Sequence, residues 1–123
     1  MERGVTPDIV ILDSQWPRRA LLRAQLIEEG YEVVATDDWE TVKSYARLLL
    51  KPRLIVVDLQ GLAAAAEILE ELHRMMKPEQ VLVLTALGTL TPAEVQRRGF
   101  HAMARPMSVG EIVDEATALV RLL

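Results

Sequence analysis

The chain has 123 residues, half of them hydrophobic but only 4% aromatic, and its formal net charge is -4. This length suits one domain with an aliphatic core. The acidic balance argues against a general nucleic-acid or anionic-membrane surface, which would need a basic face. The absence of cysteine excludes disulfides, thiolate metal sites and cysteine nucleophiles.

The sequence carries no sign of export or of membrane anchoring. No apolar run approaches the roughly 20 residues that cross a bilayer, and the N-terminal MERGVTPD lacks the apolar core of a signal peptide. The lack of cysteine also fits a reducing compartment. We therefore expect a cytoplasmic protein in which residues 1–123 form one domain, with residues 1–7 as a flexible N-terminal arm.

Five short apolar stretches, each bounded by helix- and strand-breaking residues, predict β-strands. They are DIVIL (8–12), YEVVA (31–35), RLIVV (53–57), VLVLT (81–85) and FHAMA (100–104). The first, third and fourth are almost continuously apolar, which is typical of strands buried on both faces.

The segments between these strands have helical spacing. Apolar residues recur at intervals of three and four at Trp39, Val42, Ala46 and Leu49, at Ile68, Leu69, Leu72 and Met76, and at Ile112, Val113, Ala116, Leu119, Val120 and Leu123. Two S/T-x-x-E capping boxes, TPAE at residues 91–94 and SVGE at 108–111, predict where the last two helices begin. Pro17 and Gly30 mark the start and the end of the first helix.

The order of elements is thus a strand followed by a helix, repeated five times. Connections this short force right-handed crossovers, so the sequence predicts a doubly wound α/β domain with a five-stranded parallel sheet and helices on both faces. In such sheets ligands bind at the carboxyl ends of the strands, near the point where the strand order reverses.

Four polar residues end predicted strands, namely Asp13, Asp58, Thr85 and Arg105. Two carboxylates, a hydroxyl and a fixed cation converging from different strands suit a phosphoryl group and a hard divalent ion. The alternative is that each residue merely caps the helix that follows it. That alternative is preferable for any single residue, but the set as a whole favours a site.

This pattern resembles the receiver domain of bacterial two-component response regulators over nearly the whole chain. The resemblance is carried by Asp13 with the following RRALLRAQLIEEGYEVV, by LIVVD ending at Asp58, by VLVLTA containing Thr85, and by ARPMSVGEI. It implies the flavodoxin-like (βα)5 topology of receivers. It further implies that Asp58 accepts a phosphoryl group and binds Mg²⁺ together with Asp13, while Thr85 senses the phosphate.

The resemblance also shows where this chain departs from the family. Ser14 stands where the principal metal-binding acid is expected, and Arg105 replaces a lysine before Pro106, a candidate cis-proline. The turn after the phosphoacceptor is replaced by the shorter LQGLAAAA. The position of the aromatic switch falls on Ala102, which leaves Phe100 and Met103 as candidates for that role.

These departures predict a weakened site. Mg²⁺ binding through one or two carboxylates should be poor, and phosphorylation slow or absent. Arginine can hold a carboxylate by two parallel hydrogen bonds, so Arg105 would fill the volume of metal and phosphate if it reached Asp58 or Asp13. We expect such a pocket to be held in one state.

Three functions remain open from the sequence. The preferred one is an atypical, non-enzymatic receiver that acts by contact with a protein partner, either a histidine kinase or an output protein, and not directly with nucleic acid or a membrane. Its output face would include Phe100, Ala102, Met103 and Met107, and the last strand and helix could form a homodimer. The second is an authentic Mg²⁺-dependent receiver phosphorylated on Asp58 by a histidine kinase. The third, a small ligand-binding flavodoxin-like domain, is disfavoured because LDSQWP contains no glycine.

Overall fold

Five parallel strands form the central sheet in the computed structural model of the chain, which describes residues 6–123. The strands lie in the order β2-β1-β3-β4-β5, and every neighbouring pair is parallel. Their bounds are β1 Ile9–Leu12, β2 Val33–Thr36, β3 Leu54–Asp58, β4 Val81–Thr85 and β5 His101–Ala104. The predicted doubly wound α/β fold is confirmed.

Helices cover both faces of this sheet. They are α1 Trp16–Glu28, α2 Trp39–Ala46, α3 Ala65–Met75, α4 Pro92–Arg97 and α5 Val109–Leu122, with a short 3-10 helix at Pro78–Gln80. The buried side chains of α1 and α5 share one hydrophobic core, and those of α2, α3 and α4 share the other. Among residues 6–123 no helix combines the length and apolarity that crossing a membrane requires.

The three central strands are buried along their whole length, which explains their continuous apolar sequences. Successive side chains of a strand point to opposite faces. In β3, for example, Ile55 and Val57 enter the core under α2 and α3, whereas Leu54 and Val56 enter the core under α1 and α5. A strand that must fill two cores has no face left for polar side chains.

Both predicted capping boxes are present. At the start of α4, Thr91 Oγ1 accepts a hydrogen bond from the Glu94 backbone N–H, and Glu94 Oε1 accepts one from the Thr91 backbone N–H. This second bond lowers the pKa of the exposed Glu94 carboxyl. Ser108 and Glu111 make the same exchange at the start of α5.

A local prediction is corrected by the structure. Helix α2 ends at Ala46, where Lys51 Nζ donates to the Ala46 carbonyl, so Leu49 does not extend the buried stripe but is fully exposed. Within the predicted arm, residues 1–5 lie outside the described part. Pro7, however, is buried and the Thr6 hydroxyl donates to the Leu50 carbonyl, so the chain is attached to the domain from residue 6.

The register brings the predicted site residues to one edge of the sheet. Leu12 pairs with Val57, so Asp13 and Asp58 follow at the ends of neighbouring strands. Thr85 pairs with Ala104, which places Arg105 just beyond. The strand order reverses between β1 and β3, and a ligand site is expected there in a sheet of this kind.

Candidate functional site

Two carboxylates lie buried at the point where the strand order reverses. The side chains of Asp13 and Asp58 are each only 1% exposed. One oxygen of each accepts a hydrogen bond from a backbone N–H two residues later, that of Gln15 at 2.9 Å and that of Gln60 at 3.0 Å. These local bonds fix both carboxylates but leave most of their charge to be balanced by other groups.

Arg105 balances Asp58 from the β5 side. Its Nη1 donates to Asp58 Oδ1 at 3.1 Å and its Nη2 donates to Asp58 Oδ2, so the two planar groups meet through two hydrogen bonds. Nη1 also donates to the Thr85 carbonyl at 3.3 Å. Of the two carboxylates that the sequence offered as partners of Arg105, the structure selects Asp58.

A second arginine, Arg18, which the strand-end pattern of the sequence does not predict as a site residue, lies between the two carboxylates. Arg18 donates from Nε to Asp13 Oδ2 at 2.8 Å and from Nη2 to Asp13 Oδ1 at 2.5 Å, and its Nε also lies 3.2 Å from Asp58 Oδ2. Hydrogen bonding to Asp13 and the nearby charge of Asp58 raise the pKa of Arg18 above its usual range. Arg18 is therefore a permanent cation of the site.

The loop after Asp58 closes over this pair of acids. Ser14 Oγ donates to the Gln60 carbonyl at 3.0 Å, and Arg18 Nη1 donates to Gln60 Oε1 at 2.8 Å. The next residue, Gly61, has a φ of 77°, and a Cβ atom there would lie 2.7 Å from Ser14 Oγ. At the position where a metal-binding acid is expected, Ser14 instead attaches the shortened loop to the β1 end of the site.

These residues do not fit a magnesium ion. Mg²⁺ requires nearly octahedral oxygen ligands, but the Arg18 guanidinium contacts both carboxylates and the Ser14 hydroxyl is engaged with Gln60. No group of three or more His, Cys, Asp or Glu residues within 6–123 could hold a metal ion. Two carboxylates and two guanidinium groups already balance each other in charge.

Two further residues implied by the resemblance lie beside this site. Thr85 is buried, and its Oγ1 donates to the Met103 carbonyl at 3.2 Å, so the hydroxyl is engaged with β5 and not with Asp58. The Arg105–Pro106 peptide bond is cis.

The predicted output face is only partly exposed. Phe100 is 3% exposed, lies in the core under α2 and α3, and packs edge-on against His73 with ring centroids 5.9 Å apart. It precedes β5, at the end of the strand away from Arg105. Ala102, Met103 and Met107 are half-buried and pack against the two cores.

Comparison with solved structures supports the fold. No protein-family model and no curated protein matches the sequence. Among solved structures, the Francisella response regulator 1452 receiver domain has a TM-score of 0.79 and 16% identity, covering 95% of this chain and 98% of that one. A response regulator receiver domain protein from Clostridium thermocellum has a TM-score of 0.77 and 16% identity, covering 93% and 94%.

A longer protein contains the same fold. NtrX from Brucella abortus, solved with ADP, has a TM-score of 0.76 and 21% identity, and the match covers 96% of this chain but only 27% of the NtrX chain. The present chain therefore spans about a quarter of that relative. At this level of identity the likeness establishes the architecture, and the chain has the fold of a response regulator receiver domain.

Proposed function

We propose that this chain is an atypical receiver-like signalling domain of a two-component or phosphorelay system, which acts by protein contact with weak or no phosphorylation. The observation that carries the proposal is the double engagement of Asp58 by Arg18 and Arg105. A receiver that signals through phosphate needs that carboxylate free and a divalent cation beside it. Here side chains of the protein provide both the counter-charge and the contacts.

The proposed loss of phosphorylation follows from the chemistry of Asp58. A carboxylate is a weak nucleophile, and its attack on phosphorus requires an available oxygen and a cation that stabilises the developing charge. Oδ2 of Asp58 faces both guanidinium groups, and Oδ1 accepts from Arg105 and the Gln60 backbone N–H. An incoming phosphoryl group would have to displace these donors, and the residues leave no place for Mg²⁺.

The proposed output of the domain is contact with a protein. Because the acids of the described site are engaged by arginines, we infer that the domain is not an enzyme and that its output is binding to a cytoplasmic protein partner, a kinase or an output protein. Its net charge of -4 supports a protein partner over a nucleic acid. The half-buried Met103 and Met107 near β5 and α5 support a role of this region in partner or homodimer contact.

Titration with Mg²⁺ and then with beryllium fluoride, an acyl-phosphate mimic, tests the proposal. Backbone amide shifts of Asp58 and Thr85 in the whole chain should stay unchanged. A triple variant with Ser14→Asp, Arg18→Ala and Arg105→Lys is the positive control, because it restores an acid, removes the inserted cation and returns the lysine. Saturable shifts in the unmodified chain that are abolished by Asp58→Asn would instead establish an authentic Mg²⁺-dependent receiver.

A further inference from the structure

An open groove runs along the carboxyl edge of the sheet beside the arginine site. It consists of two adjoining clefts of about 670 Å³ and about 520 Å³. The first lies between the β4–α4 and β5–α5 loops and the second between the β3–α3 and β4–α4 loops. They share Gln60, Leu87, Gly88 and Thr89, so together they form one elongated surface.

The lining of this groove combines aliphatic residues with a few neutral polar ones, such as Gln60 and Thr89. Leu87, at the junction of the two clefts, is fully exposed to solvent, and the walls continue through Met107 and Pro106 on one side and Leu62 and Leu90 on the other. Leu87 joins the aliphatic parts of both clefts into one apolar strip, on which apolar side chains of a partner can pack. The long, open shape suits a chain segment of a partner protein better than a compact ligand.

Among residues 6–123 the groove has a single charged lining residue, Arg105, which lies in the larger cleft. Its charge is partly balanced by Asp58, but the carboxylate is only 1% exposed while the arginine side chain is 20% exposed. The groove therefore presents to solvent the edge of a guanidinium group and no carboxylate of its own.

Arg105 retains unused hydrogen-bond donors. Of its five N–H groups, two on Nη1 donate to Asp58 and to the Thr85 carbonyl, and one on Nη2 donates to Asp58. Its Nε–H and second Nη2–H donate to no group within residues 6–123. Nε is not among the fully buried unpaired atoms of these residues, so solvent reaches it. Two neighbouring donors of this kind can bind a carboxylate by parallel hydrogen bonds.

We infer that this groove binds an apolar segment of a partner protein that carries an acidic residue, with the carboxylate on Arg105 and aliphatic side chains around Leu87. The inference rests on the proposed contact function and adds the chemistry of the partner to it. A basic segment is disfavoured because it would meet the guanidinium without an exposed carboxylate to offset it.

Selection of phage-displayed random peptides on the immobilised whole chain, without Mg²⁺, tests this inference. Enriched peptides should contain an acidic residue flanked by aliphatic ones. Leu87→Glu should weaken their binding by about tenfold or more, and Leu87→Lys should weaken it less, because only the first adds repulsion of the ligand carboxylate. Leu49, an equally exposed leucine in the α2–β3 connection, provides the matched controls Leu49→Glu and Leu49→Lys, which should leave binding unchanged.

Three results would overturn the inference. One is enrichment of peptides without an acidic residue, and another is binding that responds to Leu49 but not to Leu87. The third is that no peptide is enriched while octanoate, a small apolar carboxylate, binds the groove. Each leaves the proposed contact function intact. Peptides that bind only after beryllium fluoride loading would instead refute the phosphate-independent function and leave the groove in place.

Discussion

Replacement of Arg18 by methionine is the most direct perturbation of the acid site. The variant keeps most of the apolar volume of the side chain but removes both bonds to Asp13 and the contact with Asp58. Removal of one partner of a buried ion pair costs about 3–5 kcal/mol of unfolding free energy. Because Arg18 is 23% exposed, water can partly replace it, and we expect a loss of about 3 kcal/mol.

The same variant should gain a response to metal. Without Arg18, the two buried carboxylates face only one guanidinium, and the space between them becomes available to a divalent cation. Ligand binding at a hundred times the dissociation constant stabilises a fold by about 2.7 kcal/mol. Millimolar Mg²⁺ should therefore recover part of the stability lost in Arg18→Met and change nothing in the unmodified chain.

Urea denaturation followed by circular dichroism, with and without Mg²⁺ at matched ionic strength, measures both effects. In a thermal melt of a chain of this size, the same loss of about 3 kcal/mol lowers the melting temperature by about 10 °C. Arg74→Met, on the exposed surface of α3, is the matched control and should be nearly neutral without any metal response. Equal stability of Arg18→Met and Arg74→Met, or equal stabilisation of the unmodified chain by Mg²⁺, would contradict this role of Arg18.

Three further predictions concern the surroundings of the site. Arg105→Lys should lower the unfolding free energy measured in urea by about 1–2 kcal/mol, since lysine cannot form two parallel hydrogen bonds to the Asp58 carboxylate. An unchanged urea midpoint would contradict this. Gly61→Ala should cost about 2 kcal/mol or more, because its Cβ would clash with Ser14, whereas Gly88→Ala, with a similar positive φ but open space, should cost about 1 kcal/mol; equal losses would exclude the clash. The pKa of Glu94 is lowered in the fold, so its stabilising bond is fully present above the ordinary carboxyl pKa and is lost as the pH falls through the lowered pKa. The difference in unfolding free energy between the unmodified chain and Glu94→Gln should therefore vanish in acid.

The sheet and the helix starts were predictable because their signals are local. A strand that fills two cores must be apolar throughout, and a capping box is complete within four residues, so β3 and the start of α4 can be identified without knowledge of their neighbours. The end of α2 was mispredicted because Leu49 has the right spacing for a buried stripe. The helix instead ends at Ala46, where the chain turns toward β3, and the spacing of apolar residues carries no information on that turn.

Only the site residues that end strands could be predicted from the sequence. Asp13, Asp58, Thr85 and Arg105 end their strands, and parallel strands bring such ends together. Arg18 gives no comparable signal, since it follows a proline in a polar stretch. A side chain in the first turn of a helix points back toward the helix N-terminus. A basic residue about one turn after an acid that ends a strand is therefore the sequence feature that could have identified Arg18.

The two arginines also determine how binding in the groove would affect the acid site. Arg18 reaches Asp58 from α1 and Arg105 reaches it from the β5 side, so the carboxylate links the two sides of the strand-order reversal. A partner carboxylate on the two unused donors of Arg105 would share this cation with Asp58, so each anion would weaken the attraction of the other to Arg105. By linkage, whatever weakens the Arg105–Asp58 pair should then strengthen partner binding. Asp58→Asn, which frees Arg105 of its internal anion, should therefore bind an acidic peptide more tightly than the unmodified chain, the reverse of what a phosphate-dependent receiver requires.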